Sequence, residues 1–200
     1  MNDLRAVIIA GSQHLDSQTA KVAAAVESRL NESSRFAAAS LVDLAREPLP
    51  LLGAADGDAD RVAALDATLS DCDALVIMTP EWHGMATAAI KNFFLHYSRG
   101  QLAHKPALLI SVSAGAGGAY PIAELRSSSY KNSRICYLPE HLIVRNVNGV
   151  FNSSGDNNAE SQAYLAARLD YCLAMLATYA EHMRAVRKQL PDGSAYTNGM

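Results

Sequence analysis

The feature that most constrains this chain is an alternation. Short apolar runs rich in β-branched residues are followed, one after another, by amphipathic stretches of helical period. Residues 4–10 (LRAVIIA) end at Gly11-Ser12 and read as a buried strand with a turn behind it. Residues 17–31 then place Val22, Val26 and Leu30 on one helical face. Phe36 to Leu44 reads as a second strand closed by Pro48 and Pro50, 53–60 as a loop, and Val62 to Ser70 as a helix with Val62, Leu65 and Leu69 inward. Ala74 to Met78 is a third buried strand, broken at Thr79-Pro80. Met85 to Tyr97 is a helix turning Ile90, Phe93, Phe94 and Tyr97 inward, and 107–113 (ALLISVS) is a fourth strand. A helix near 120–132 precedes a fifth strand, at Ile135–Leu138 or at Leu142–Arg145. After a loop at 146–158, a last helix over 159–188 buries Leu165, Leu169, Cys172, Leu173, Leu176 and Met183. Five strand–helix units without repeat or linker imply a doubly wound parallel sheet, in one domain over residues 1–188 with a loose tail at 189–200.

Composition narrows the function classes. Half of the 200 residues are apolar and 18% are charged, as in soluble globular chains. The formal charge of -3 and the lack of a Lys/Arg stripe argue against a nucleic-acid partner. The opening run MNDLRAVIIAGS is too short to insert in a membrane. Cys72, Cys136 and Cys172 are odd in number and widely spaced, which speaks against a disulfide framework and for the cytoplasm; the histidines show no metal-binding pairing.

Doubly wound sheets bind ligands outside the strand carboxyl ends, where the strand order reverses. In the order 2-1-3-4-5 that crevice lies between the turns after strands one and three. Behind strand one, 11–21 (GSQHLDSQTAK) opens a helix whose free N–H groups suit a phosphate, with Ser12, Ser17 and Thr19 adding hydroxyls. Gly11 stands alone, so neither GxGxxG nor GxxxxGK[ST] is present, and a terminal monophosphate suits the turn better than a pyrophosphate. An ordinary Ser-capped helix is the alternative reading. Behind strand three, Thr79-Pro80-Glu81-Trp82-His83-Gly84-Met85 joins a stiff turn, two planar side chains and a glycine that admits a flat ligand; a half-buried Trp in a plain turn is the alternative. Behind strand four, Ser113-Ala114-Gly115-Ala116-Gly117-Gly118 exposes a row of backbone N–H donors. An elongated flavin mononucleotide needs what these turns offer together.

These stretches resemble the NADPH-dependent FMN reductases of the flavodoxin-like superfamily, which include quinone, azo-dye and chromate reductases. The likeness runs from strand one to about residue 130 and rests on 11–21, on 79–99 (TPEWHGMATAAIKNFFLHYSR, similar to the family's PEYNGSxPxxLKNxIDxxSR) and on 113–126. It implies a flavodoxin-like three-layer α/β sandwich. It also implies FMN phosphate at Ser12, Ser17 and Thr19, with His14 and Gln18 beside it. The flavin ring would lie against Pro80, Glu81, Trp82, His83 and Gly84 on one side and Ser113, Gly115, Gly117 and Gly118 on the other. A homodimer or homotetramer built through helices beside the flavin is implied as well. Three positions depart from the family: His14 replaces an arginine, Trp82-His83 replace Tyr-Asn, and Thr87 falls where SxP has proline. An arginine carries a permanent charge and a fork of donors, while an unperturbed histidine is charged only below about pH 6.5. FMN is therefore expected to be held more weakly, and more tightly at acid pH.

The resemblance implies a ping-pong oxidoreductase in which flavin takes hydride from NADPH or NADH and passes electrons to a small acceptor: flavin, quinone, azo compound or metal oxyanion. No catalytic nucleophile is expected. Glu81 reads as an ion-pairing loop residue, Asp43 as a cap, Tyr120 as rim or core, His96 and His104 as structural, and Cys72 as an inert thiol. The rivals are a flavodoxin-type electron carrier, which ordinarily presents a more acidic docking face, and a scaffold with weak flavin binding.

Overall fold

In a computed structural model, residues 3–54, 58–98, 100–193 and 196 are described. The elements run β1 (Leu4–Ala10), α1 (Gln18–Glu32), β2 (Phe36–Asp43), α2 (Ala59–Asp71), β3 (Ala74–Pro80), α3 (Ala88–His96), β4 (Pro106–Val112), α4 (Ala119–Ser128), β5 (Cys136–Val144), a 3-10 turn (Val147–Gly149) and α5 (Ala159–Gln189). All strand pairs are parallel, in the order β2-β1-β3-β4-β5. The sheet is the flavodoxin-like arrangement expected from the sequence. Its two faces are covered by different helices. Leu4, Ile8, Val76, Leu108 and Ile110 pack with Val22, Val26 and Leu30 of α1 and Leu169, Leu173 and Leu176 of α5. Ile9, Leu75, Ile77 and Leu109 pack with Leu69 of α2, Ile90 and Phe93 of α3, and Leu125 of α4. β3 and β4 are buried along their whole length, so they read as unbroken apolar runs.

Four helices start on a side chain that accepts an otherwise free N–H: Ser17 from Ala20, Asp58 from Arg61, Thr87 from Ile90 and Asn158 from Ser161. Several boundaries differ from the periodicity, each for a local reason. β3 continues through Thr79-Pro80, pairing Pro80 with Val112. Glu81 N–H points to β4, so the missing N–H of Pro80 falls on the β1 side, where pairing has already ended at Ala10–Met78. α3 begins at Ala88 rather than Met85 because Trp82 to Met85 close a hairpin instead. α4 stops at Ser128: the hydroxyls of Ser128 and Ser129 bond back to the Glu124 and Leu125 carbonyls at 2.6 Å, competing with the helix ladder. The two candidate fifth strands are one edge strand, Cys136–Val144, with a register shift opposite Ala107–Leu109 that absorbs the exposed Pro139. Met183 is only half-buried, unlike the other inward residues expected on α5. The loop expected at 53–60 and the tail expected at 189–200 lie partly outside the described residues.

At the amino-terminal end of the strands, Asp73 is gripped by Arg184 and Arg187 and by the N–H of Arg5. The buried Lys105 ammonium closes the end of α2 by donating to the Leu69 and Ser70 carbonyls. Among the described residues, no helix is long and apolar enough to cross a membrane.

Candidate functional site

Because every strand is parallel, the turns after β1, β3 and β4 emerge at one edge of the sheet, and they meet there. They enclose a cleft of about 400 Å³ lined by Ser12, His14, Ser17, Gln18 and Thr19 from the first turn and by Pro80, Glu81 and Trp82 from the second. Val112, Ala114 and Val147 close the side toward β4 and β5, and Leu15 and Asp16 complete the first turn. The cleft sits at the switch point, where the chain leaves β1 toward β2 on one side and β3 on the other.

The first turn is shaped by its own polar groups. The Gly11 N–H donates to the Met78 carbonyl at 2.9 Å, tying the turn to β3. A Cβ on Gly11 would lie 2.0 Å from Cγ1 of Ile90 and 2.8 Å from the Met78 oxygen, so only glycine permits this approach. The Thr87 hydroxyl donates to the Gly11 carbonyl, which gives the residue at the family's proline position a structural task. Buried Ser12 accepts the His14 N–H at 3.1 Å, and Ser17 accepts that of Ala20 at 3.1 Å. The remaining first-turn donors of α1, the N–H groups of Gln18 and Thr19, have no protein acceptor among the described residues.

The second turn is a two-residue hairpin: the Trp82 and Met85 N–H groups donate to each other's carbonyls at 3.1 and 3.0 Å. Both central residues have positive φ, 52° at His83 and 74° at Gly84. That turn type favours Asn-Gly, and histidine also tolerates the left-handed region, so His83 can stand where the family has Asn. The hairpin lays Trp82 against His14, ring centroids 4.9 Å apart. These two departures from the family therefore touch each other across the cleft.

The third turn is gripped from both sides. Gly115 N–H donates to the Ser113 hydroxyl at 3.3 Å, Arg145 Nε donates to the Gly117 carbonyl at 2.9 Å, and Gly118 N–H donates to Glu81 Oε2 at 2.5 Å. Glu81 is thus held by backbone, and among the described residues it forms no ion pair, contrary to the sequence-based expectation. Of the candidate residues, His83, Gly84, Ser113, Gly115, Gly117 and Gly118 frame the turns without lining the cleft.

The donor set suits a phosphate-tailed group. Of the helix N-termini at this edge, that of α4 is filled by the Glu81 carboxylate, while that of α1 opens on the cleft with free N–H groups beside Ser12, Ser17 and His14. The third turn also leaves room beside it, since a Cβ on Gly115 would meet nothing within 4 Å. The residues present therefore fit FMN.

Other residues settle into structural places. Asp43 accepts the Ala45 N–H at 3.0 Å as a turn cap, and Tyr120 is exposed at the rim. His96 bonds the Pro50 carbonyl at 2.8 Å, and burial pushes the Cys72 thiol up to about 11, which makes it a poor nucleophile. Sequence reasoning missed three contributors. Arg46 pairs with Asp16, bringing a permanent cation to the first turn. Val147 forms a cleft wall, and Lys21 holds it by donating to the Val147 carbonyl at 2.8 Å and to Asn152 Oδ1 at 2.6 Å. A lysine one turn into a helix gives no sequence signal for such a contact.

Comparisons with known proteins agree with the geometry. Residues 4–149 match the family described as NADPH-dependent FMN reductase. The chain is 26% identical over 152 residues to an NADPH azoreductase of Bacillus sp. (strain OY1-2), covering 75% of this chain and 82% of that one. Among solved structures, the flavoenzyme FerB, an NAD(P)H:(acceptor) oxidoreductase of Paracoccus denitrificans, superposes with TM-score 0.68 at 19% identity over 90% of this chain and 99% of its own. An oxidoreductase of Corynebacterium diphtheriae superposes with TM-score 0.69 at 14% identity over 91% and 99%. At those identities the two structures speak for the fold.

Proposed function

The chain belongs to the NADPH-dependent FMN reductase family, and we propose that it passes electrons from NADPH or NADH to a small-molecule acceptor by a ping-pong mechanism. The observation that carries this reading is the cleft in which the turns after β1, β3 and β4 converge around unclaimed backbone donors. Ser12, Ser17, Gln18 and Thr19 would hold the phosphate through hydroxyl and N–H donors, with His14 beside them. The backbone of Pro80–Gly84 and Gly115–Gly118 would flank the ring. Bound there, FMN supplies the hydride and electron chemistry, so the chain needs no acid or base of its own. Its residues orient the cofactor and limit water at the inner wall, where Val112 and Val147 are buried.

Donor and acceptor would reach bound FMN in turn through the same cleft, which is the basis for the proposed ping-pong order. The acceptor is a flavin, quinone, azo compound or metal oxyanion, and the likeness to an azoreductase supports an azo or quinone compound first. Met85 on the hairpin, Leu95 on α3 and Tyr120 on α4 are exposed large apolar side chains, which supports a homodimer or homotetramer. Free cysteines, two of them buried, support a cytoplasmic setting. The test is steady-state NADPH oxidation by the purified, FMN-loaded protein with an azo dye or quinone and no partner reductase. Parallel double-reciprocal lines are expected. Oxidation only when a separate reductase is added would make the protein an electron carrier instead.

A further inference from the structure

The sequence of β3 delivers Glu81 to the cleft with little freedom. Its N–H donates to the Val112 carbonyl at 2.9 Å, continuing the sheet one residue beyond Pro80. Its side chain then lies along the third turn: Oε2 accepts the Gly118 N–H at 2.5 Å, and a Cβ on Gly117 would come within 2.8 Å of Oε1. Gly118 is the N-cap of α4 and offers no capping side chain, so the Glu81 carboxylate serves as the anion at that helix start. The group that holds it is the neutral Gly118 amide. Arg145, the basic residue that grips the same turn, donates its Nε to the Gly117 carbonyl, and among the described residues it forms no ion pair with Glu81. The carboxylate lines the cleft.

We propose that Glu81 is a potential-setting residue: its fixed negative charge, beside the ring end of the cleft, disfavours the added electrons of the reduced cofactor and makes the protein a stronger reductant. The proposal rests on the reading of the cleft as the FMN site. Reduction adds negative charge to the ring, and a like charge nearby in a partly desolvated cleft opposes it. The same placement explains why a glutamate, rather than a serine or asparagine cap, closes α4. A neutral cap would accept the Gly118 N–H more weakly and leave the potential untouched.

Two substitutions separate charge from shape. Glu81→Gln keeps a carbonyl oxygen for the Gly118 N–H and removes the charge; Glu81→Ala removes both. FMN affinity of the apo-protein by fluorescence titration and the midpoint potential of the FMN-loaded protein by dye equilibration are measured for all three proteins. Both variants are expected to raise the potential, with the reduced-to-oxidised affinity ratio increasing roughly three- to tenfold; tenfold corresponds to about 30 mV for a two-electron couple. FMN bound with an unchanged potential in Glu81→Gln, or a shift confined to Glu81→Ala, overturns the proposal and leaves Glu81 a structural staple. Failure of the wild-type protein to bind FMN overturns the reading of the cleft itself, and the proposal with it.

Discussion

The glycines of the third turn have three different surroundings, and alanine at each should therefore have three different effects. Gly118 is the severe case. Its φ is +103°, and a Cβ there would lie 2.3 Å from Cγ2 of Ile143 on β5. Forcing an L-residue to positive φ costs about 1–2 kcal/mol. Driving a methyl into the Ile143 side chain adds about 1–3 kcal/mol, toward the lower end because Ile143 is only half-buried and can turn aside. A total of about 2–5 kcal/mol corresponds to roughly 4–20 °C in Tm for a domain of this size. Gly117→Ala meets the flexible Glu81 carboxylate at 2.8 Å, which moves away and gives up its bond to Gly118, a loss of about 1 kcal/mol at this half-exposed position. Gly115→Ala enters open space at an ordinary φ and should stay within about 0.5 kcal/mol of wild type. Urea unfolding of the apo-proteins gives the three values, provided the m-values agree. Equal stability of Gly115→Ala and Gly118→Ala would refute the description of this turn.

His14→Arg restores a permanent charge to the first turn and should tighten FMN binding by about 10- to 100-fold, equivalent to roughly 1.5–3 kcal/mol, in a fluorescence titration; an unchanged Kd would mean that His14 does not face the phosphate. Lys21→Met loses the bonds to the Val147 carbonyl and Asn152 Oδ1, so amide exchange over 147–152 should quicken while that of β1 stays slow. Asp73 titrates in the opposite sense to simple burial. Burial raises its pKa, but the Arg184 hydrogen bond, the Arg5 N–H and the charges of Arg184 and Arg187 outweigh this and hold it below the ordinary carboxylate value. Its stabilisation is thus complete above that value, about pH 4, and is lost as pH falls through the lower folded value. Asp73→Asn should be less stable at pH 7 and lose less stability between pH 5 and 3 than wild type, read by urea midpoints.

The strands and the cleft were legible for one physical reason. A parallel sheet buried on both faces writes itself as apolar runs, and parallel strands gather their turns at one edge, so unusual turn compositions had to meet. What stayed hidden depends on contacts distant in sequence. Nothing local to β5 shows that Ala107–Leu109 shifts register opposite it, which is why the strand reads as two fragments around Pro139. The late start of α3 follows from the Trp82–Met85 hairpin, whose His83-Gly84 pair is a turn signal only once positive φ is allowed for histidine. The role of Glu81 turns on Gly118, 37 positions away, and an acidic residue in a turn reads by default as an ion-pair partner.

A crystal structure of the protein grown with FMN asks the central question most directly. The cofactor's phosphate is expected over the free N–H groups of Gln18 and Thr19, and its ring between residues 80–84 and 115–118. Electron density for FMN elsewhere on the protein, or a cleft filled by the protein's own side chains at saturating FMN, would contradict it.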